Sequence, residues 1–180
     1  MTPTEEGMMN ALMFLVLRAA HVLCAAVWIG STVYIALLLA PAVEDAGPAG
    51  GQIMMGLDRR GLHRYMAIVS MTTIASGVYL LWRFTGGFDP GVIATHAGIV
   101  FGTGGTAGLL AGIIGATVVG RSGSQVVAIM KEVAGTSDGA TRGALMLRAA
   151  GLRRRIKSGT RVIMALQATA LVLMAVGHYV

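Results

Sequence analysis

Charged side chains are scarce in this chain of 180 residues and make up only 12% of it, whereas soluble domains carry about 25%. The deficit is concentrated, because residues 19–43, 65–82, 90–120 and 162–180 contain no Asp, Glu, Lys or Arg. A helix needs roughly 20 apolar residues to cross the hydrocarbon core of a bilayer. The four stretches therefore predict an all-α fold, an integral membrane four-helix bundle that forms a single domain.

Other residue types are missing as well. Cysteine occurs once, as Cys24, which excludes an intrachain disulfide and a cysteine-based zinc site. All eight carboxylates lie outside the four stretches, which disfavours an ion-coupled transporter because such proteins usually need a buried acid. The first residues are acidic, with Glu5 and Glu6, so they lack the basic region of a signal peptide and we expect the first span to stay in the mature protein.

The remaining boundaries follow from proline, glycine and charge. The predicted spans cover residues 12–40, 62–84, 92–120 and 160–180. The predicted connections cover residues 41–61, with a short helix at 54–58, and residues 121–159, with an amphipathic helix at 124–134. Ser124 is the expected N-cap of that amphipathic helix, because a serine hydroxyl can accept a hydrogen bond from the first free backbone N–H groups.

The net charge is +6, and the basic residues are concentrated in particular parts of the chain. Of the 14 Lys and Arg residues, only Arg18 and Arg83 lie away from the two connections 41–61 and 121–159 and the ends of the spans beside them. Basic residues concentrate in cytoplasmic loops, so both connections are expected in the cytoplasm and both termini outside. This distribution disfavours nucleic acid as a partner and indicates contact with anionic membrane lipid.

Histidines are the main candidates for chemistry. His21, His96 and His178 fall in the outer halves of their spans, whereas His63 lies at the cytoplasmic start of the second span. A histidine in a span is uncommon and costly, so a partner or ligand is the working hypothesis. We predict a haem with His21 and His96 as axial ligands and His178 as the alternative, and Arg18, one helical turn from His21, near the haem propionates.

Two other interpretations of the histidines stay open. Copper is one, because the chain has 12 methionines, whose thioethers suit Cu(I), although methionine is also a common packing residue. Three hydrogen-bonding groups at the membrane surface without any metal are the other.

Glycines at intervals of four line one face of the third span, at Gly104, Gly108 and Gly112. Small residues at this spacing allow helix backbones to approach closely in lipid. Packing within the bundle is the favoured explanation; a subunit contact or room for a flat ligand are the alternatives.

The first span contains His21, six further residues and then Trp28-Ile-Gly30-Ser-Thr-Val-Tyr34. This resembles the first helix of a group of bacterial membrane proteins that includes the copper-resistance D domain, the HemJ-like protoporphyrinogen oxidases and the membrane domain of bacterial urate oxidases. The resemblance implies a helical bundle in the bacterial inner (plasma) membrane, in which His21 binds haem b or metal. In the haem hypothesis, Trp28 packs beside the site. The chain has no lysine in the third span and no Cys-x-x-Cys-His motif, so the chemistry of the HemJ-like and urate-oxidizing proteins is not implied.

The sequence thus predicts a small haem-b-binding membrane protein in electron transfer, with quinone or a larger membrane complex as partner. A copper-handling protein of the copper-resistance D type is the first alternative. A non-catalytic accessory subunit of a larger membrane complex is the second.

Overall fold

A computed structural model describes residues 3–177 and 179 of the chain. Every regular element among these residues is helical. Eight α-helices follow one another along the chain: α1 (Pro3–Tyr34), α2 (Ala40–Asp45), α3 (Pro48–Arg59), α4 (Leu62–Phe84), α5 (Pro90–Ile93), α6 (His96–Ile114), α7 (Arg121–Gly135) and α8 (Gly139–Val176). The bounds of α4 coincide with the predicted second span.

Four of the described helical segments are long and apolar enough to cross a membrane, as a multi-pass membrane protein requires. They contain α1, α4, α6 and α8. We call the end of the bundle where residues 85–95 join α4 to α6 the short-turn end. The opposite end, which carries residues 40–61 and 121–161, is the basic end.

Two π-helical turns extend the helices of the first and third spans. Ile35–Leu39 joins α1 to α2, and Gly115–Gly120 joins α6 to α7. The helix His96–Gly135 is thus continuous over 40 residues, or about 60 Å at 1.5 Å per residue. This exceeds the roughly 40–45 Å of a whole bilayer, so the helix extends beyond the membrane at the basic end.

The prediction of a separate helix capped by Ser124 is wrong. The hydroxyl of Ser124 donates to the carbonyl oxygen of Gly120 at 3.1 Å, inside a helix that is continuous from His96. A serine hydroxyl that bonds to the carbonyl four residues earlier is compatible with a helix interior. The first connection also holds more helix than expected, because α3 covers Pro48–Arg59 and not only residues 54–58.

The bundle packs mainly as two antiparallel pairs, α1 with α4 and α6 with α8. Its buried centre consists of Trp28, Ala111 and Ile163, from α1, α6 and α8. Of the three glycines at intervals of four on α6, Gly104 and Gly112 allow close approach inside the bundle. A Cβ atom at Gly104 would lie 3.2 Å from Met174 Cε, and one at Gly112 would lie 3.8 Å from the Trp28 ring. Gly108 faces open space.

At the basic end, α7 and the first part of α8 form a helical hairpin with its own small core. Ile129 and Val133 of α7 pack against Ala149 of α8. Asp138 caps α8, since its carboxylate accepts the backbone N–H of Thr141 at 2.8 Å. The hydrogen bonds from Thr141 hold the pKa of Asp138 below its usual value of 3.8, because they stabilise the charged carboxylate.

Candidate functional site

His21 lies on α1 and is directed against α4. Its ring nitrogen Nδ1 is 2.9 Å from the backbone oxygen of Thr73 and 3.3 Å from Ser76 Oγ. A carbonyl oxygen can only accept, so Nδ1 carries the hydrogen and donates it to Thr73. In the neutral ring, the second nitrogen, Nε2, then has a free lone pair.

The residues of α4 that contact the imidazole ring have small side chains, and two of them are polar. Thr73, Ser76 and Gly77 are spaced three and four residues apart, so they lie on one side of the helix. Thr73 and Ser76 are buried, and their hydroxyls also bond to carbonyl oxygens of their own helix, which satisfies them. A Cβ atom at Gly77 would lie 2.8 Å from His21 Cε1. Glycine therefore makes room for the imidazole. We call these four residues the His21 site.

His96 is distant from this site. It is the first residue of α6 and is exposed, one residue after Thr95, which caps the helix. The rings of Phe84 and Phe101 are 5.2 Å apart, and a Cβ at Gly112 would lie against both Ile74 and Trp28. These contacts fix the relative heights of the helices.

The heights separate the two predicted ligands. Counted along α1 from the Trp28–Gly112 contact, His21 lies level with about residue 105 of α6. Counted along α4 from the Ile74–Gly112 and Phe84–Phe101 contacts, it lies level with about residue 110. At 1.5 Å per residue, His96 is then about 14–21 Å nearer the short-turn end. Two ligands of one iron must lie at nearly the same depth, so this structure does not bring His21 and His96 together.

The end of α8 lies nearer the short-turn end than His21 does. A Cβ atom at Gly177 would lie 2.7 Å from the Phe101 ring, so the end of α8 is level with residue 101 of α6. It is therefore about 6–14 Å nearer the short-turn end than His21, by the rise of α6. His178 lies outside the described residues.

The other two predicted site residues occupy different surroundings. Arg18 is exposed, one turn of α1 nearer the short-turn end than His21. Trp28 is two turns in the opposite direction, about 10 Å along the axis, and only 6% exposed in the bundle centre. The structure therefore places Trp28 in the core and not beside His21.

A buried amide went unnoticed in the sequence. Gln167 is 2% exposed, and its Oε1 atom has no hydrogen-bond partner among the described residues. Its signal was available, because Gln167 is the one amide side chain in the charge-free residues 162–180. Thr73, Ser76 and Gly77 were also missed, since small and hydroxyl residues are common in any span.

Within residues 3–177 and 179, no group of three or more His, Cys, Asp or Glu side chains is close enough to hold a metal ion.

The chain matches no protein-family model, no curated protein and no solved structure. The resemblance of residues 21–34 to the group of bacterial membrane proteins named above therefore stays a prediction from the sequence.

Proposed function

We propose that this chain is a multi-pass protein of the bacterial inner membrane that binds haem b through His21 and takes part in electron transfer. The observation that carries the proposal is the hydrogen bond from His21 Nδ1 to the Thr73 carbonyl oxygen. Histidines that bind metal almost always donate their other ring N–H to such an acceptor, which fixes the tautomer and increases the basicity of the binding nitrogen.

His178 would be the second residue that holds the haem in this proposal, in preference to His96. The end of α8, which His178 follows, is about 6–14 Å from the depth of His21, whereas His96 begins α6 about 14–21 Å away.

The bound haem would supply reversible one-electron chemistry. The protein's own residues orient and enclose it. Thr73 holds the ring of His21 in one orientation, Gly77 leaves space for that ring, and Arg18 offers a cation for the propionates. Quinone or a larger membrane complex would exchange electrons with this site.

The orientation of the chain is part of the proposal. With the basic end in the cytoplasm, both termini and the His21 site lie toward the outer surface. An electron partner would then approach from the outer half of the membrane or from the outer surface itself.

The test is the absorption and pyridine haemochrome spectrum of the full-length protein, purified after expression with added haem precursor. The proposal predicts a Soret band in the wild type and in His96→Ala, and its loss in His178→Ala. Loss in His96→Ala alone would restore His96 as the second ligand. A wild type that binds no haem would refute the proposal, and metal analysis that finds copper would favour the copper-handling alternative.

A further inference from the structure

Helix α3 is an amphipathic helix that the rest of the protein hardly covers. Ile53 is 48% and Met54 37% exposed, although both are large and apolar. Within the part of the chain that the structure describes, α3 makes appreciable contacts only with its neighbours along the chain, α2 and α4. An amphipathic helix of this kind is typical of segments that lie in the plane of the membrane surface.

A shallow groove of about 450 Å³ runs along this helix. Its lining is Ile53, Gly56, Leu57, Arg59 and Arg60. The groove is therefore apolar along one side and carries two guanidinium groups at one end. The groove is empty at Gly56, because a Cβ atom there would have nothing within 4 Å.

The two arginines of the groove lie at the level expected for lipid headgroups. Arg60 and Gly61, which has a left-handed backbone conformation (φ 86°), immediately precede the apolar α4. On the neighbouring helix, Lys157 pairs with Glu44 of α2 at 3.6 Å, only five residues before the charge-free end of α8 begins. Both sets of residues thus mark the membrane surface.

We propose that this groove binds one anionic glycerophospholipid. The phosphate contacts Arg59 and Arg60, and the upper part of an acyl chain lies along Ile53 and Leu57. Charge complementarity selects an anionic headgroup, and the apolar side of the groove selects a lipid over free phosphate. A guanidinium group suits this role because its planar donors match phosphate oxygens.

Native mass spectrometry of the full-length protein in detergent, titrated with phosphatidylglycerol or with phosphatidylcholine of the same chains, tests the proposal. Phosphatidylglycerol should bind more tightly to the wild type. The double substitution Arg59→Gln/Arg60→Gln should weaken its binding about thirtyfold, because each basic residue near an anionic surface contributes about 1 kcal/mol.

The matched charge control is Arg142→Gln/Arg148→Gln. These two arginines lie on α8 about 21–30 Å from the charge-free residues 162–180, beyond the screening length of about 8 Å. Their removal should leave binding of phosphatidylglycerol unchanged.

A second pair of variants separates the groove from a diffuse charge effect. Gly56→Leu fills the groove without changing charge and should weaken binding of phosphatidylglycerol, whereas Gly51→Leu, on the same helix outside the groove and also in open space, should not. Equal affinity for the two lipids, or unchanged binding in Gly56→Leu, would overturn the proposal. Displacement of the lipid by excess inorganic phosphate would overturn it as well, because the groove would then recognise the phosphate group alone and not the acyl chain.

Discussion

At the scale of single residues, the His21 site depends on what α4 presents to an imidazole inside the membrane. A neutral histidine there needs an acceptor for its N–H, and the Thr73 carbonyl oxygen supplies one at 2.9 Å. The ring can reach that oxygen only because residue 77 has no side chain. The tautomer of His21 is thus set by a backbone atom and by a glycine, neither of which is itself a ligand.

Gly77→Ala tests this arrangement. The added Cβ would lie 2.8 Å from His21 Cε1, so the ring must move and its bond to Thr73 is lost or distorted. We expect haem affinity to fall about 10–100-fold, the usual cost of losing such an outer partner. Haem titration of the purified apoprotein measures the change. Gly102→Ala, where a Cβ meets nothing within 4 Å, is the control; equal affinity of the two variants would contradict this role of Gly77.

Gln167 gives a prediction about stability. Its Oε1 is buried without a partner among the described residues, which costs about 1–3 kcal/mol, whereas its long bond to Thr32 returns only about 0.6 kcal/mol. Gln167→Leu should therefore raise the free energy of unfolding by about 1 kcal/mol. Denaturation of the purified protein by sodium dodecyl sulfate would show it, and a destabilised variant would mean that the Gln167 oxygen has a partner.

At the scale of helices, the extension of α7 and α8 beyond the span is held by few residues. Ile129 is 4% and Val133 6% exposed, and both pack on Ala149. This core is separate from the bundle centre at Trp28. We therefore expect the hairpin to loosen while the membrane-spanning part stays folded.

Ile129→Ala should loosen the hairpin selectively. Removing a buried isoleucine side chain costs about 2–5 kcal/mol, which is large for so small a core. Hydrogen exchange should speed up in α7 and in the first half of α8 and stay unchanged in α4. Leu147→Ala is the matched control, because Leu147 is 77% exposed, and such substitutions change stability by about 0.5 kcal/mol or less. Faster exchange throughout the chain would show that the hairpin and bundle are one cooperative unit.

The sequence predicted some of these elements better than others. Helix α4 matches its predicted bounds because charges and a glycine-rich turn flank a continuous apolar run. No pattern in the sequence predicts the π-helical turn at Gly115–Gly120, because its glycines are equally compatible with a helix end. The sequence therefore suggested a break before Ser124 where the helix continues.

The candidate site was only partly predictable for a similar reason. A histidine in an apolar run is conspicuous, so His21 was identified. The heights at which the helices pack depend on contacts such as Phe84–Phe101, which no spacing along the chain reveals. The predicted pairing of His21 with His96 rested on span boundaries alone.

At the scale of the whole molecule, the chain exposes 11416 Å² of surface. A compact soluble protein of 18.6 kDa exposes about 8,200 Å². Much of the exposed surface belongs to large apolar side chains on the four long helices. A lipid environment for those helices accounts for their exposed apolar side chains, and a projecting hairpin at the basic end adds to the total exposed area.

The orientation can be tested with single cysteines, because Cys24→Ser alone removes every native thiol. In that background, Ala94→Cys marks the short-turn end and Ala144→Cys the basic end; both positions are exposed. A membrane-impermeant maleimide should label residue 94 in intact spheroplasts and residue 144 only after lysis. The reverse pattern would invert the orientation and move the His21 site toward the cytoplasm.

The central claim is that His21 holds a haem. The most direct measurement is haem bound per polypeptide, by pyridine haemochrome, in the wild type, His21→Ala and His63→Ala. His63 is the matched control, because it is also a histidine but lies at the basic end, at the start of α4. The account predicts stoichiometric haem in the wild type and in His63→Ala, and a loss of about tenfold or more in His21→Ala, since even an outer partner costs that much. Haem retained in full by His21→Ala would contradict it.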